Sequence, residues 1–259
     1  MSKKVKILLS FVALCAAAAY FYVASSFIAD KQHEQRCRTF SVSISDADVR
    51  KLVTEDDVKS ILLSSSQPLL GEVLQTVDTY KAEELLNTKS FIKNAEAYTD
   101  ISGTLNVRVE QRKPIIRIAS PAYSFYMDEE GFVFPLSKTY AEYVPIVTGS
   151  TPLPFNSGYK GLIPDTENAV FLKQLLTFAQ FLQNNTYWNA MVEQVHVVNA
   201  NNVELVTRVG SQLVELGSLN DFEYKLHKLH TFYKKAMPTV GWNTYKTINL
   251  AYSNQVVCK

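Results

Sequence analysis

The spacing of apolar residues changes several times along the chain, and each change marks an element. Residues 7–29, ILLSFVALCAAAAYFYVASSFIA, carry no formal charge and no polar period. Thr39-Phe-Ser-Val-Ser-Ile44 alternates polar and apolar, the period of a half-buried strand. Thr54-Glu-Asp-Asp57 then reads as a helix start. Thr54 suits the cap, the acids favour the positive end of the helix dipole, and Val53 and Val58 are spaced as a hydrophobic staple. Val58, Ile61 and Leu62 form its inner stripe, and Gln67-Pro68 breaks it. A second helix is predicted from Asp78 through Leu85 and Leu86 to Asn87-Thr88. Strands are predicted over Ile92–Thr99 and Thr104–Glu110, turned by Asp100-Ile-Ser-Gly103. In the second, Leu105, Val107 and Val109 face one way and Asn106, Arg108 and Glu110 the other. The order β-α-α-β-β makes a small unit whose helices can cover one sheet face.

Pro114 closes that unit or joins it to the next. Residues 122–127 and 132–134 predict a hairpin about Asp128-Glu-Glu-Gly131, where Gly131 can take positive φ. Residues 144–164 hold four prolines and predict an ordered loop. A longer helix follows from about Asp165 to Asn184, then strands over Val192–Val198, Val203–Val209 and Gln212–Leu216. A last helix, Asp221–Lys235, presents Phe222, Leu226, Leu229 and Phe232. The chain closes on INLAYSNQVVCK, read as an edge strand over 246–258. The fold class expected is α+β: one N-terminal membrane helix, a β-α-α-β-β unit over 39–118, and a mixed β domain with two longer helices over 119–259.

The uncharged run changes that picture most. A helix of about 23 residues spans the roughly 30 Å hydrocarbon core. Lys3, Lys4 and Lys6 precede it, so the positive-inside rule leaves a short cytoplasmic tail at 1–6 and exports everything after a linker at 30–38. The run exceeds the apolar core of a cleaved signal peptide, which favours an uncleaved anchor. The formal net charge of +1 implies no polybasic surface for nucleic acid. Export permits disulfides, so Cys37 and Cys258, the two cysteines outside the apolar run, are either a bridge or two free thiols.

No catalytic, cofactor or metal constellation emerges. His227 and His230 are three apart on a helix, with no third ligand placed. Asp128, Glu129 and Glu130 read as solvated turn residues. Ser157-Gly-Tyr-Lys160 fits S-x-x-K, but neither S-D-N nor K-T-G accompanies it. The residues thus describe an anchored, two-domain exported protein with no visible active site, no cofactor and no small-molecule substrate.

Three runs carry a resemblance: Gly103-Thr-Leu-Asn-Val-Arg-Val-Glu-Gln-Arg-Lys-Pro114, Tyr126-Met-Asp-Glu-Glu-Gly-Phe-Val133 and Val144-Pro-Ile-Val-Thr-Gly149. In this order behind one anchor they resemble the bacterial cell-division FtsQ family, as do Leu216-Gly217, the helix around Lys225-Leu226 and the closing Ile248–Tyr252. The resemblance implies a POTRA domain followed by a β domain, a non-enzymatic scaffold at the septum of the inner membrane, and capture of an FtsB/FtsL-type pair. The grip it implies is strand addition at the last strand, on Asn249, Leu250, Tyr252, Asn254 and Gln255. Asn249 and Ala251 depart from the acidic and arginine residues common there. The alternatives are another POTRA-bearing assembly or secretion component, or an anchored cell-wall enzyme using Ser157 and Lys160. A single unit with no barrel argues against the first.

Overall fold

In the computed structural model the described residues are 12–23, 35–65, 68–120 and 123–259. Of the expected span at 7–29, residues 12–23 are described and helical; the expected cytoplasmic tail at 1–6 lies outside the described residues, as does most of the expected linker. Among the described residues no helix is long and apolar enough to cross a membrane. The chain divides into two compact units at Gln111/Arg112.

The first unit contains β1 (Thr39–Ile44), α1 (Glu55–Leu63), α2 (Thr79–Asn87), β2 (Ile92–Thr99) and β3 (Thr104–Gln111). The sheet order is β1-β3-β2, with β1 parallel to β3 and β2 antiparallel to it. Local chemistry starts both helices. Thr54 Oγ1 accepts from the Asp57 amide at 3.2 Å while the Asp57 carboxylate accepts from the Thr54 amide at 2.9 Å, a reciprocal capping box. Asp78 accepts from the Lys81 amide at 3.1 Å. The staple residues Val53 and Val58 are both buried, and the core of this unit joins Val58, Leu62, Ala82 and Leu86 to Leu105, Val107 and Val109.

The second unit is built on β4 (Pro114–Ala119), β5 (Ser124–Asp128), β6 (Phe132–Pro135), β7 (Ile146–Gly149), β8 (Gly161–Leu162), α3 (Val170–Asn184), α4 (Thr186–Met191), β9 (Val192–Asn199), β10 (Asn202–Thr207), β11 (Leu213–Gly217), α5 (Phe222–Lys235), α6 (Met237–Val240), β12 (Thr247–Asn249) and β13 (Val257–Cys258). All its strands join one sheet in the order β13-β12-β11-β10-β9-β7-β4-β5-β6-β8. The apolar stripes of α3 (Phe171, Leu172, Leu175, Phe178, Leu182) and α5 (Phe222, Leu226, Leu229, Tyr233) share one core with the sheet.

Four expectations are corrected here. The domain boundary moves from 118/119 to 111/112, because β4 pairs with β5 and β7 in the second sheet. The 144–164 loop contains β7, a central strand, whose Val147 lies in register between Ile118 and Val195. Asp128 is buried rather than solvated, ion-paired with Arg112 at 2.8 Å. The closing strand over 246–258 is two short strands separated by a turn, with β13 folded back antiparallel onto β12.

The quoted motifs acquire physical reasons in this sheet. Arg112 of the first run reaches Asp128 of the second, and its guanidinium lies 3.4 Å from the centre of the Phe132 ring. Asp128 also accepts from the amides of Glu130 and Phe132 at 3.0 and 2.8 Å, which holds the turn where Gly131 has φ +78°. Gly149 ends the third run at φ +90°, and a Cβ there would collide with the Val197 carbonyl oxygen.

Candidate functional site

The expected contact residues gather at one end of the second sheet, on β12 and the turn that follows it. β11 and β12 run parallel, so the chain between them must cross over, and α5 makes that crossing. Its apolar stripe faces the core. Tyr224 and Lys228, one helical turn apart, remain on the flank beside the turn.

Lys228 organises the turn. Its ammonium donates to the carbonyls of Leu250 at 2.9 Å, Tyr252 at 2.5 Å and Gln255 at 3.4 Å. Three donors meet three acceptors that no β ladder satisfies. Burial pushes the Lys228 ammonium below the ordinary lysine value. The ring of Tyr224 lies 5.2 Å from the Lys228 nitrogen, and its hydroxyl donates to Asn254 Oδ1 at 2.8 Å. Asn254 sits at φ +58°, the left-handed conformation that Asn tolerates better than most residues.

Asn249 closes the other side. Its Oδ1 accepts from the Ala251 amide at 2.9 Å, and its Nδ2 donates to Glu215 on β11. Leu250 is fully buried and its amide donates to the Glu215 carbonyl at 2.8 Å. Tyr252 is 52 % exposed, and Asn254 and Gln255 are also exposed. A cavity of about 560 Å³ opens beside Tyr252, lined in part by Ser218, Lys225 and Lys228.

Of the five expected contact residues, the structure therefore places Asn249 in β12, Leu250 in the core, and Tyr252, Asn254 and Gln255 on a turn. Sequence reasoning misses Lys228, Tyr224 and Glu215, although Tyr224 and Lys228 show the i, i+4 spacing of neighbours on a helix. Cys37 and Cys258 are both free thiols, Cys37 buried in the first unit and Cys258 half-buried against the core of the second. Burial pushes both thiols above the ordinary cysteine value.

The other candidates stay apart from chemistry. The His230 ring meets Tyr187 edge-on at 4.8 Å, and among the described residues no group of three metal-ligating side chains converges. Ser157 and Lys160 are both exposed.

Residues 113–259 match the family model described as FtsQ/DivIB, C-terminal related. The chain belongs to that family. Residues 35–110 match a POTRA-like domain, the β-α-α-β-β unit seen in the first half. FtsQ/DivIB proteins are non-enzymatic scaffolds of cell division and membrane proteins of the division site. Both matched ranges place the domain boundary where the two sheets separate rather than inside β4. No curated protein matches the chain.

Proposed function

We propose that this protein is a divisome scaffold of the inner membrane. The 7–29 span anchors it with a cytoplasmic N-terminus and both folded units in the periplasm. It links early and late division proteins and takes up an FtsB/FtsL-type complex to regulate septal peptidoglycan synthesis. The observation that carries this reading is the FtsQ/DivIB match over residues 113–259, which spans the whole sheet from β4 to β13.

The partner adds a strand at the β12–β13 end of that sheet. Backbone bonds supply affinity there, and side chains on alternate positions supply selectivity. Tyr252 stands exposed beside the edge and contributes side-chain contact.

A tagged copy should gather at midcell; even distribution around the envelope counts against the division reading. Tyr252→Lys changes an exposed turn residue, so the fold should persist, as circular dichroism can check, while capture of the FtsB-type partner is lost. Wild-type capture by that variant overturns the role given to this edge.

A further inference from the structure

The edge that a partner strand needs is already taken. In β12, Thr247 and Lys259 exchange backbone bonds, each amide donating to the other's carbonyl at 3.1 Å, and the Lys246 amide donates to the same Lys259 carbonyl at 2.6 Å. Ile248 faces Cys258 and Asn249 faces Val257 in the same antiparallel ladder. Backbone groups alternate sides along a strand. With Lys259 turned towards β12, the amide and carbonyl of Cys258 point outward. β13 therefore offers an incoming strand little more than one residue's worth of ladder. Removing β13 from β12 would free the groups of Thr247 and Asn249 together, a longer template.

Resting on the division reading, we propose that residues 253–259 are an internal stand-in for the partner strand, displaced when the partner binds, while Leu250 stays in the core and Tyr252 beside the edge. The segment is suited to leave. Its ladder to β12 is short, and residues 253–255 are exposed. Lys228, seated on the carbonyls of Leu250 and Tyr252 at its base, holds it through the Gln255 carbonyl, and the bond from Tyr224 to Asn254 adds a second tie. Val256 and Cys258 pack against the core from one side of the segment. An incoming strand that reproduces this arrangement is extended, runs antiparallel to β12 and carries apolar side chains at two alternate positions. Lys228 then acts as the latch, and its bond to the Gln255 carbonyl is the contact broken first.

The Ile248–Cys258 pair provides a lock. It is a non-hydrogen-bonded pair, for which Cα atoms lie about 4.5 Å apart, within disulfide range. Full-length Ile248→Cys, in a Cys15→Ser background, joins β13 to β12 when oxidised and releases it in dithiothreitol. The one protein thus serves as its own folding control. The probe is the purified periplasmic segment of the FtsB-type partner from the same cell. The oxidised form should bind it at least about tenfold more weakly than the reduced form, a difference of about 1.4 kcal/mol. Equal binding by both forms overturns displacement, because the strand then docks without moving β13.

A second measurement needs no partner. The Thr247 amide, which donates to Lys259, should exchange hydrogen faster than the amides of β10, which is flanked by β9 and β11 inside the sheet. Lys228→Ala should speed it by a further factor of about ten, the scale of one charge-assisted bond. Exchange as slow as that of β10, unchanged by Lys228→Ala, overturns the latch whatever the binding result. Fast exchange with no binding by any form, wild type included, supports a displaceable strand and rejects the division partner.

Discussion

Arg112→Met removes one half of a buried ion pair, and the geometry sets the scale of the loss. Asp128 Oδ2 accepts from Arg112 Nη1 at 2.8 Å, with the two side chains 4 % and 10 % exposed respectively. Oδ1 is engaged separately by the amides of Glu130 and Phe132. Taking away one partner leaves a desolvated charge and costs about 3–5 kcal/mol. That is a large share of the roughly 5–15 kcal/mol that holds a domain together. Arg112→Met with Asp128→Asn should recover part of it, because no buried charge remains, while the side-chain Nδ2 left facing the Met keeps a cost of about 1–3 kcal/mol. The new side-chain amide of that variant can keep both turn amides on its oxygen. The Met thioether can lie on the Phe132 ring, where the guanidinium lay. The exchange also removes Arg112 Nε, a buried donor without a hydrogen-bond partner. Urea unfolding followed by tryptophan fluorescence measures this cleanly, since Trp188 and Trp242 are the two tryptophans and both lie in the second unit. A single variant costing less than about 1 kcal/mol, or a double variant no more stable than the single, refutes the account of an uncompensated charge.

Two further outcomes test other parts of the fold. Gly149→Ala should destabilise the second unit by more than about 1 kcal/mol in the same assay, because φ is positive and the new Cβ meets the Val197 carbonyl; a neutral result would show that β7 and β9 can separate freely. The Asp100 carboxyl is held down to about 2, chiefly by the Ser102 hydroxyl and then by the Thr104 amide. Its contribution to stability is complete above the unfolded value of about 3.9 and is lost as pH falls towards the folded value, because the unfolded state binds the proton first. A carboxyl-carbon NMR titration should find the depressed midpoint, and a midpoint near 3.9 refutes the hydrogen-bonded turn.

The first unit is legible almost element by element because its signals are local. The caps at Thr54 and Asp78 act within a helical turn, and the alternation in Thr104–Gln111 repeats through several periods. The site is legible only in part. The sequence puts Asn249 and Tyr252 in the closing segment, but its pattern suggests one continuous strand through them. The break has a local trace, since Asn249 bonds the Ala251 amide and Asn254 adopts left-handed φ. Asparagine permits such a turn without requiring it, and the carbonyls it leaves unpaired are met by Lys228 of a distant helix.

By itself the sequence determined where the two helices of the first unit begin, which strand faces are apolar and that residues 7–29 form an uncharged run. Those properties follow from residues a few positions apart. Tertiary structure alone decided that Ile146–Gly149 is a central strand, since four residues carry too little periodicity and acquire their role from Ile118 and Val195 on either side. It decided that Asp128 is a buried ion-pair partner, which depends on Arg112 entering just ahead of β4, where Pro114 pairs with Asp128. It also decided that residues 257–258 cover β12, because a strand's edge is defined by its neighbour, and the neighbour here comes from the same chain after a turn held by α5.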